Sequence, residues 1–358
     1  MKYPPQPALH HGIRGLLLAG LVATISARTA AQDALFSQYT AAAVYNNPAL
    51  AGLYDGDFRF TANYREQWAD RQLRTPIRSY AATAEGRYDL GGRDYFVGAL
   101  NLLHDSGGPA DFSTAQIGLG LSGQKYLAGG RGRDATYLGF GARVGYGQHQ
   151  LDDRGLWFSS QFDTTSVSLV ESGSPLPASF VGNTRGYLDA STGVSLTVVK
   201  QRYSVWGGLA AHHVNRPNVS FLYNAEVTLA PRFSGVVGAE WLHSEELRIL
   251  PLVTVDVQGQ SRRLTAGAAT YYKPRLSDDV GFRLGAYGRT GSDQIGGHAL
   301  ESLVFLGQLE LSQLRIGISY DVNVGRVARA TDGRGAYELS VGYIPVSRRR
   351  HKVVCPKI

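Results

Sequence analysis

Apolar and polar residues alternate with a period of two in segment after segment, almost to the C-terminus. Four segments show it plainly. In 57–65, Phe58, Phe60, Ala62 and Tyr64 alternate with Asp57, Arg59, Thr61, Asn63 and Arg65. In 138–148, Leu138, Phe140, Ala142, Val144 and Tyr146 alternate with Gly139, Gly141, Arg143, Gly145 and Gly147. Leu314–Asn323 and Tyr337–Tyr343 repeat the pattern around Arg315, Asp321 and Glu338. Successive side chains of a strand point to opposite faces, so this is the signature of strands with two unlike faces. Ten further segments, near 79–89, 95–104, 115–126, 192–200, 203–214, 233–243, 247–258, 263–273, 280–290 and 302–311, bring the count to fourteen. Many run nine to twelve residues, longer than the ~5–6 of soluble strands and near the ~9–11 that a tilted membrane strand needs. The apolar stretch 221–230 could add a strand, so the spacing predicts twelve to sixteen.

The connections fall into two classes. Gaps 90–93, 200–201, 244–246 and 312–313 are tight, whereas 68–78, 105–114, 149–191, 215–232, 291–301 and 324–335 are longer; the gap at 259–262 breaks the rule. Short periplasmic turns and long external loops are the asymmetry of an antiparallel up-and-down outer-membrane β-barrel. A secreted β-sandwich, single or tandem, also explains alternation. It does not explain the loop classes, the strand lengths or the apolar outward faces. The expected fold is therefore all-β, a transmembrane barrel occupying 57–346.

If the apolar set faces lipid, the lumen receives Arg59, Arg65, Arg143, Arg248, Arg283, Arg289, Arg315, Asp256, Asp321 and Glu338. Mixed charge of this kind either pairs into a plug or lines a path. The inward glycines of 138–148 either relieve crowding where the wall curves or make room for a peptide, including the chain's own N-terminal segment.

The first 31 residues have the layout of a secretory signal peptide: a weakly basic lead-in, the apolar run Gly15–Ile25, and a small-residue stretch ending at Ala31. Eleven helical residues reach only ~17 Å, too short for a ~30 Å hydrocarbon core. The formal charge of +7 comes from the ends: Lys2, Arg14 and Arg28 in the first 31 residues, and Arg348, Arg349, Arg350, Lys352 and Lys357 in the tail 347–358. The body between them is close to neutral, so no nucleic-acid-binding face is expected. That basic tail either meets an acidic periplasmic partner or is simply solvated. With the single Cys355 there is no internal disulfide and no cysteine-based metal or iron–sulfur site.

Catalytic and cofactor motifs are not evident. Gly118–Gly123 fits G-x-G-x-x-G, but a strand continues through it where a helix would be needed. His212 and His213 are adjacent, which on a strand would send them to opposite faces. There is no H-x-x-x-H, G-x-S-x-G or P-loop pattern. The expectation is a protein without cofactor, metal site or enzymatic activity.

The stretch 32–56 lacks alternation and holds the most specific motifs: Gln32-Asp33-Ala-Leu-Phe36-Ser37-Gln38-Tyr39, then Tyr45-Asn46-Asn47-Pro48-Ala49-Leu-Ala51-Gly52, followed by Tyr64-Arg65-Glu-Gln67-Trp68 at the first strand. Later pieces are His213-Val-Asn215, Ser319-Tyr320-Asp321, Tyr337-Glu338-Leu339-Ser340 and the ending Cys355-Pro356-Lys357-Ile358. In order and spacing these resemble the PorP/SprF family of type IX secretion system outer-membrane proteins of Bacteroidota, over essentially the whole mature chain. Ile358 departs from the aromatic ending, and 149–186 looks like an insertion. The resemblance implies an outer-membrane location, no covalent chemistry, and work with type IX secretion and gliding components on large surface adhesins that carry a C-terminal sorting domain. Phe36, Gln38, Tyr39, Tyr45, Asn47 and Pro48 would then either contact such a partner, dock in the barrel mouth, or form a lead-in that seals it. A barrel passing small solutes is the alternative function.

Overall fold

The structure, a computed structural model, describes residues 33–69, 76–90, 92–108, 110–130, 134–152, 162–163, 168–169, 182–275, 279–292 and 297–346. The leader, the basic tail and most of the 149–186 insertion lie outside these residues.

Strands β1 (Phe58–Gln67), β2 (Ile77–Asp89), β3 (Tyr95–Gly107), β4 (Phe112–Ala128) and β5 (Ala135–Gln150) are followed by a two-residue pair, β6 (Phe162–Asp163) and β7 (Ser168–Leu169). Next come β8 (Tyr187–Val199), β9 (Tyr203–His212), β10 (Arg232–Leu242), β11 (Leu247–Gln258) and β12 (Ser261–Tyr272). The last four are β13 (Val280–Ser292), β14 (His298–Leu311), β15 (Leu314–Asn323) and β16 (Ala336–Tyr343). All except β6 and β7 form one closed antiparallel barrel of fourteen strands, in which β1 pairs with β16 to complete the ring. Closure leaves no unpaired sheet edge, which a bilayer requires. No helix among the described residues is long and apolar enough to cross a membrane.

The alternation sorts as the sequence requires. Phe58, Phe60, Phe140, Val144, Ile318 and Leu339 project outward, and Leu119 is 69% exposed on the outer wall. Their neighbours in sequence, Arg59, Asn63, Arg65, Arg143, Asp321 and Glu338, are buried inside. At the closure, Arg65 stands opposite Glu338.

Two expectations about loops change. The long gap near 105–114 is mostly strand, because Asp105, Ser106 and Gly107 pair with Thr114, Ser113 and Phe112 and leave only 108–111 as the turn. Above the bilayer both faces of a strand are wet, so alternation fades while the ladder continues. The stretch 221–230 forms no barrel strand; its one bridge is Asn218 to Thr228 within the β9–β10 loop. The remaining long connections, 68–76, 151–186, 213–231 and 324–335, join strand ends on one side of the barrel, whereas at the other, tight-turn end the connections run from two residues (312–313) to seven (273–279).

Candidate functional site

The stretch without alternation lies within the barrel. It begins at Asp33 beside His213 and Gln258, at the long-loop end, and descends to Gly56 near Ile344 at the tight-turn end, where the chain reverses into β1. A one-turn helix (Ala43–Asn46) and a 3-10 turn (Pro48–Leu50) shorten it so that it fits. Leu50, Leu53 and Tyr54 are fully buried, each worth roughly 1.5–3 kcal/mol of transfer free energy. Three apolar clusters tie the segment to the wall. Phe36 and Ala42 meet Leu103; Tyr39, Ala43, Leu50 and Leu53 meet Trp206 and Val236; Val44 and Ala51 meet Tyr95, Val97 and Tyr137.

Polar contacts fix the register. Glu338 accepts the N–H groups of Ser37 (2.6 Å) and Gln38 (3.2 Å) and the Asn63 amide (3.1 Å), with Arg65 at 3.6 Å. Gln38 donates to the Glu338 carbonyl (3.0 Å) and accepts from Ser340 (2.6 Å). Asp321 accepts from Ser37 Oγ (2.8 Å) and Arg65 (2.8 Å), and also from Arg289. Lower down, Asn47 Oδ1 accepts the Ala49 N–H (2.8 Å), and the Ala49 carbonyl accepts from Gln124 (2.8 Å) and Ser195 (2.9 Å). At the tight-turn end, Glu85 accepts from Arg59 (2.6 Å) and from the Gly52 N–H (2.9 Å). Gly52 has φ of +83°, and a methyl there would strike Val97.

The long-loop end is an ionic latch. Asp33 accepts from Gln258 (2.9 Å) and lies 2.9 Å from His213 Nε2 and 3.4 Å from Arg232. His213 Nδ1 lies 2.7 Å from Asp189. Burial disfavours both ionised groups, but the partners outweigh it. Arg232 and His213 hold Asp33 well below the usual carboxylate range, and the hydrogen bonds to Asp189 and Asp33 push His213 up to about 9. The expectation that His212 and His213 face opposite ways fails here. His213 has left the strand with φ of +55°, so both rings turn into the lumen, where His212 Nε2 lies 3.0 Å from the Asn46 carbonyl. Among the described residues no cluster of three metal-ligating side chains occurs.

Each residue singled out in the sequence can now be placed. Phe36, Gln38, Tyr39, Asn47 and Pro48 are buried, and Tyr45 is half-buried under Arg232, whose guanidinium sits 4.9 Å from its ring. All six pack within the chain's own lumen. Arg65, Asp321 and Glu338 form one network around Ser37. Arg143 lies 3.5 Å from Asp189. Arg59, Arg283 and Arg315 line a small cavity beside Gln38. Of the glycines, Gly141 faces Pro48 and Ala49 so closely that any Cβ would clash, while Gly145 and Gly147 make room for Arg143 and Tyr187. Glu85, Gln124, Asp189, Ser195 and Arg232 went unnoticed in the sequence. For Glu85 only strand parity could have served, and the small outward Ala82 and Ala84 blur it.

Six motifs that the sequence scatters over three hundred residues thus meet where the N-terminal segment packs on the wall. The sequence matches, over residues 28–343, the family described as type IX secretion system membrane protein PorP/SprF. The chain belongs to the PorP/SprF family. It is an outer-membrane β-barrel, and membership gives it a part in the type IX secretion system.

No curated protein matches the sequence. Solved structures of similar shape include the toluene transporter TodX of Pseudomonas putida (15% identity, TM-score 0.47, covering 88% of this chain and 95% of that one). Others are the toluene transporter TbuX of Ralstonia pickettii (13%, 0.46, 84% and 92%) and a FadL homologue of Pseudomonas aeruginosa (11%, 0.45, 84% and 93%). All three fall below a TM-score of 0.5, and nothing about what this PorP/SprF chain does follows from them.

Proposed function

We propose that this PorP/SprF protein is a non-enzymatic, plugged barrel of the type IX secretion and gliding machinery, needed for export or surface attachment of large adhesin-type proteins through their C-terminal sorting domains. The observation that carries the reading is the occupied lumen. A segment anchored by the ion pairs of Asp33 with His213 and Arg232 at one end and by Leu50, Leu53 and Tyr54 at the other leaves little room for solute flow. A barrel so filled serves better as a platform, and the long connection 213–231 supplies surface for a protein partner. Deleting the gene in its host and comparing surface and periplasmic proteins tests this. Large proteins with the sorting domain should disappear from the surface and accumulate inside; an unchanged surface proteome would refute it.

A solute channel is the second reading. It draws on the arc β11–β14, where inward Leu250, Tyr271, Tyr287 and Gln308 are only half-buried. Steady conductance of the intact protein in planar bilayers would favour the channel. A silent barrel would leave the platform.

A further inference from the structure

The N-terminal segment does not fill the lumen evenly. Its 3-10 turn lies against β4, β5, β8 and β9, whose inward Gln124 and Ser195 are buried. Between Gln38–Ala41 and the opposite arc, two small cavities meet at Arg283. One, of about 30 Å³, is lined by Arg59, Arg283 and Arg315 together with Thr61, Gln308 and Ser340, and by no carboxylate. At ~10–15 Å³ per water molecule, this accommodates roughly two, the size of a carboxylate or a small oxyanion.

The charges there do not balance. Arg59 is matched by Glu85 at 2.6 Å, and Arg315 faces Glu310 at 3.5 Å. Arg283 is more than nine-tenths buried, its Nε has no hydrogen-bond partner, and it makes no ion pair among the described residues. A buried guanidinium without a counter-charge is costly, and arginine cannot shed its proton to escape. One positive charge is left over, next to Thr61 and Gln308, two neutral side chains able to donate hydrogen bonds, while the Ser340 hydroxyl already donates to Gln38.

We propose that Arg283 anchors a site for a single small anion, a carboxylate or an oxyanion, with Thr61 and Gln308 donating beside it. The cavity reaches Arg59 and Ile344, so it lies toward the tight-turn end. The anion arrives either free in solution or as the terminal carboxylate of a peptide entering from that side.

The test is calorimetric titration of the full chain in zwitterionic detergent at low salt, with sodium acetate, sodium phosphate, and an acetylated tripeptide with free or amidated C-terminus as probes. The expected result is saturable 1:1 binding, weakened at least tenfold in Arg283→Gln and unchanged in Arg248→Gln, whose guanidinium is already held by Glu240 at 2.6 Å. Binding of acetate or phosphate alone identifies a free anion; binding of the free-acid peptide but not the amide identifies a peptide terminus. No saturable binding, or equal weakening in both variants, overturns the site. Should Arg283→Gln not fold, Arg283→Lys keeps the charge but loses the planar fork, and unaltered affinity in it for every probe would count against the proposal.

Discussion

Glu338 accepts the backbone N–H of Ser37 at 2.6 Å, a contact spanning 301 residues of sequence. It joins the start of the lumen segment to the last strand, beside the seam where β1 and β16 close the ring. Segment and closure are therefore held by the same carboxylate.

Glu338→Ala should free the start of the segment and leave Arg65 and Arg289 sharing the single carboxylate of Asp321, one buried positive charge in excess. Removing one partner of a buried pair costs about 3–5 kcal/mol. Amide exchange at Ser37 and Gln38 should accelerate by roughly a hundredfold or more, while the β4–β5 ladder stays protected. Unchanged protection at Ser37 would show that the apolar clusters alone hold the segment.

The Asp33–His213 latch carries a pH dependence with a definite sign. His213 is raised to about 9 in the folded state, against about 6.5 unfolded. Its contribution is complete below about 6.5 and is lost as pH climbs through 9, amounting to about 3 kcal/mol at most. Asp33 is lowered, so its contribution is present above about 4 and fades at lower pH. The latch is therefore strongest between about 4 and 6.5. An NMR titration of the His213 ring should give a midpoint near 9, and Asp189→Asn should bring it down. A wild-type midpoint near 6.5 would mean that the ring is not held by both carboxylates.

Much of this barrel can be read from its residues, and the exceptions have physical reasons. Phe60, Ile318 and Leu339 declare the lipid face because hydrocarbon tolerates no polar alternative there. By parity they also place Arg59, Arg65, Asp321 and Glu338 inside. The signal fails where the solvent no longer differs between faces, as at Asp105 and Thr114, which pair above the bilayer. It fails again where local rules yield to backbone geometry, as at His213, whose left-handed φ returns its ring to the lumen. Residues 32–56 are legible as a non-strand and as a candidate plug, but the contacts that seat them are not, because their partners Glu85, Gln124, Ser195 and Asp321 come from strands far apart in sequence.

Gly141 separates the two uses that an inward glycine can have. A side chain there would meet the Pro48 carbonyl and the Ala49 nitrogen, backbone atoms that cannot step aside. Gly141→Val should dislodge the 3-10 turn, breaking the bonds that Gln124 and Ser195 make to Ala49. The loss should exceed about 3 kcal/mol, the range of overpacked cores with broken buried hydrogen bonds. Gly98→Ala is the control, because nothing lies within 4 Å of its added methyl. Thermal unfolding should drop sharply for the first and barely move for the second; equal behaviour would argue that the segment is not seated against β5.

The outer wall gives a depth-dependent prediction. Leu119 sits near the middle of β4, with Leu100 and Val144 opposite it on the neighbouring strands, and all three face outward. Leu127 is also outward but lies at the tight-turn end of the same strand. An arginine near the bilayer midplane of a barrel costs about 2–4 kcal/mol, falling to about 0–1 at the interface. Leu119→Arg should therefore destabilise folding into lipid vesicles by the larger amount and Leu127→Arg by the smaller. In detergent micelles, which adapt around a charge, the difference should shrink. Equal penalties in vesicles would mean that the hydrocarbon band is centred elsewhere on the wall, and repeating the substitution along β4 would locate it.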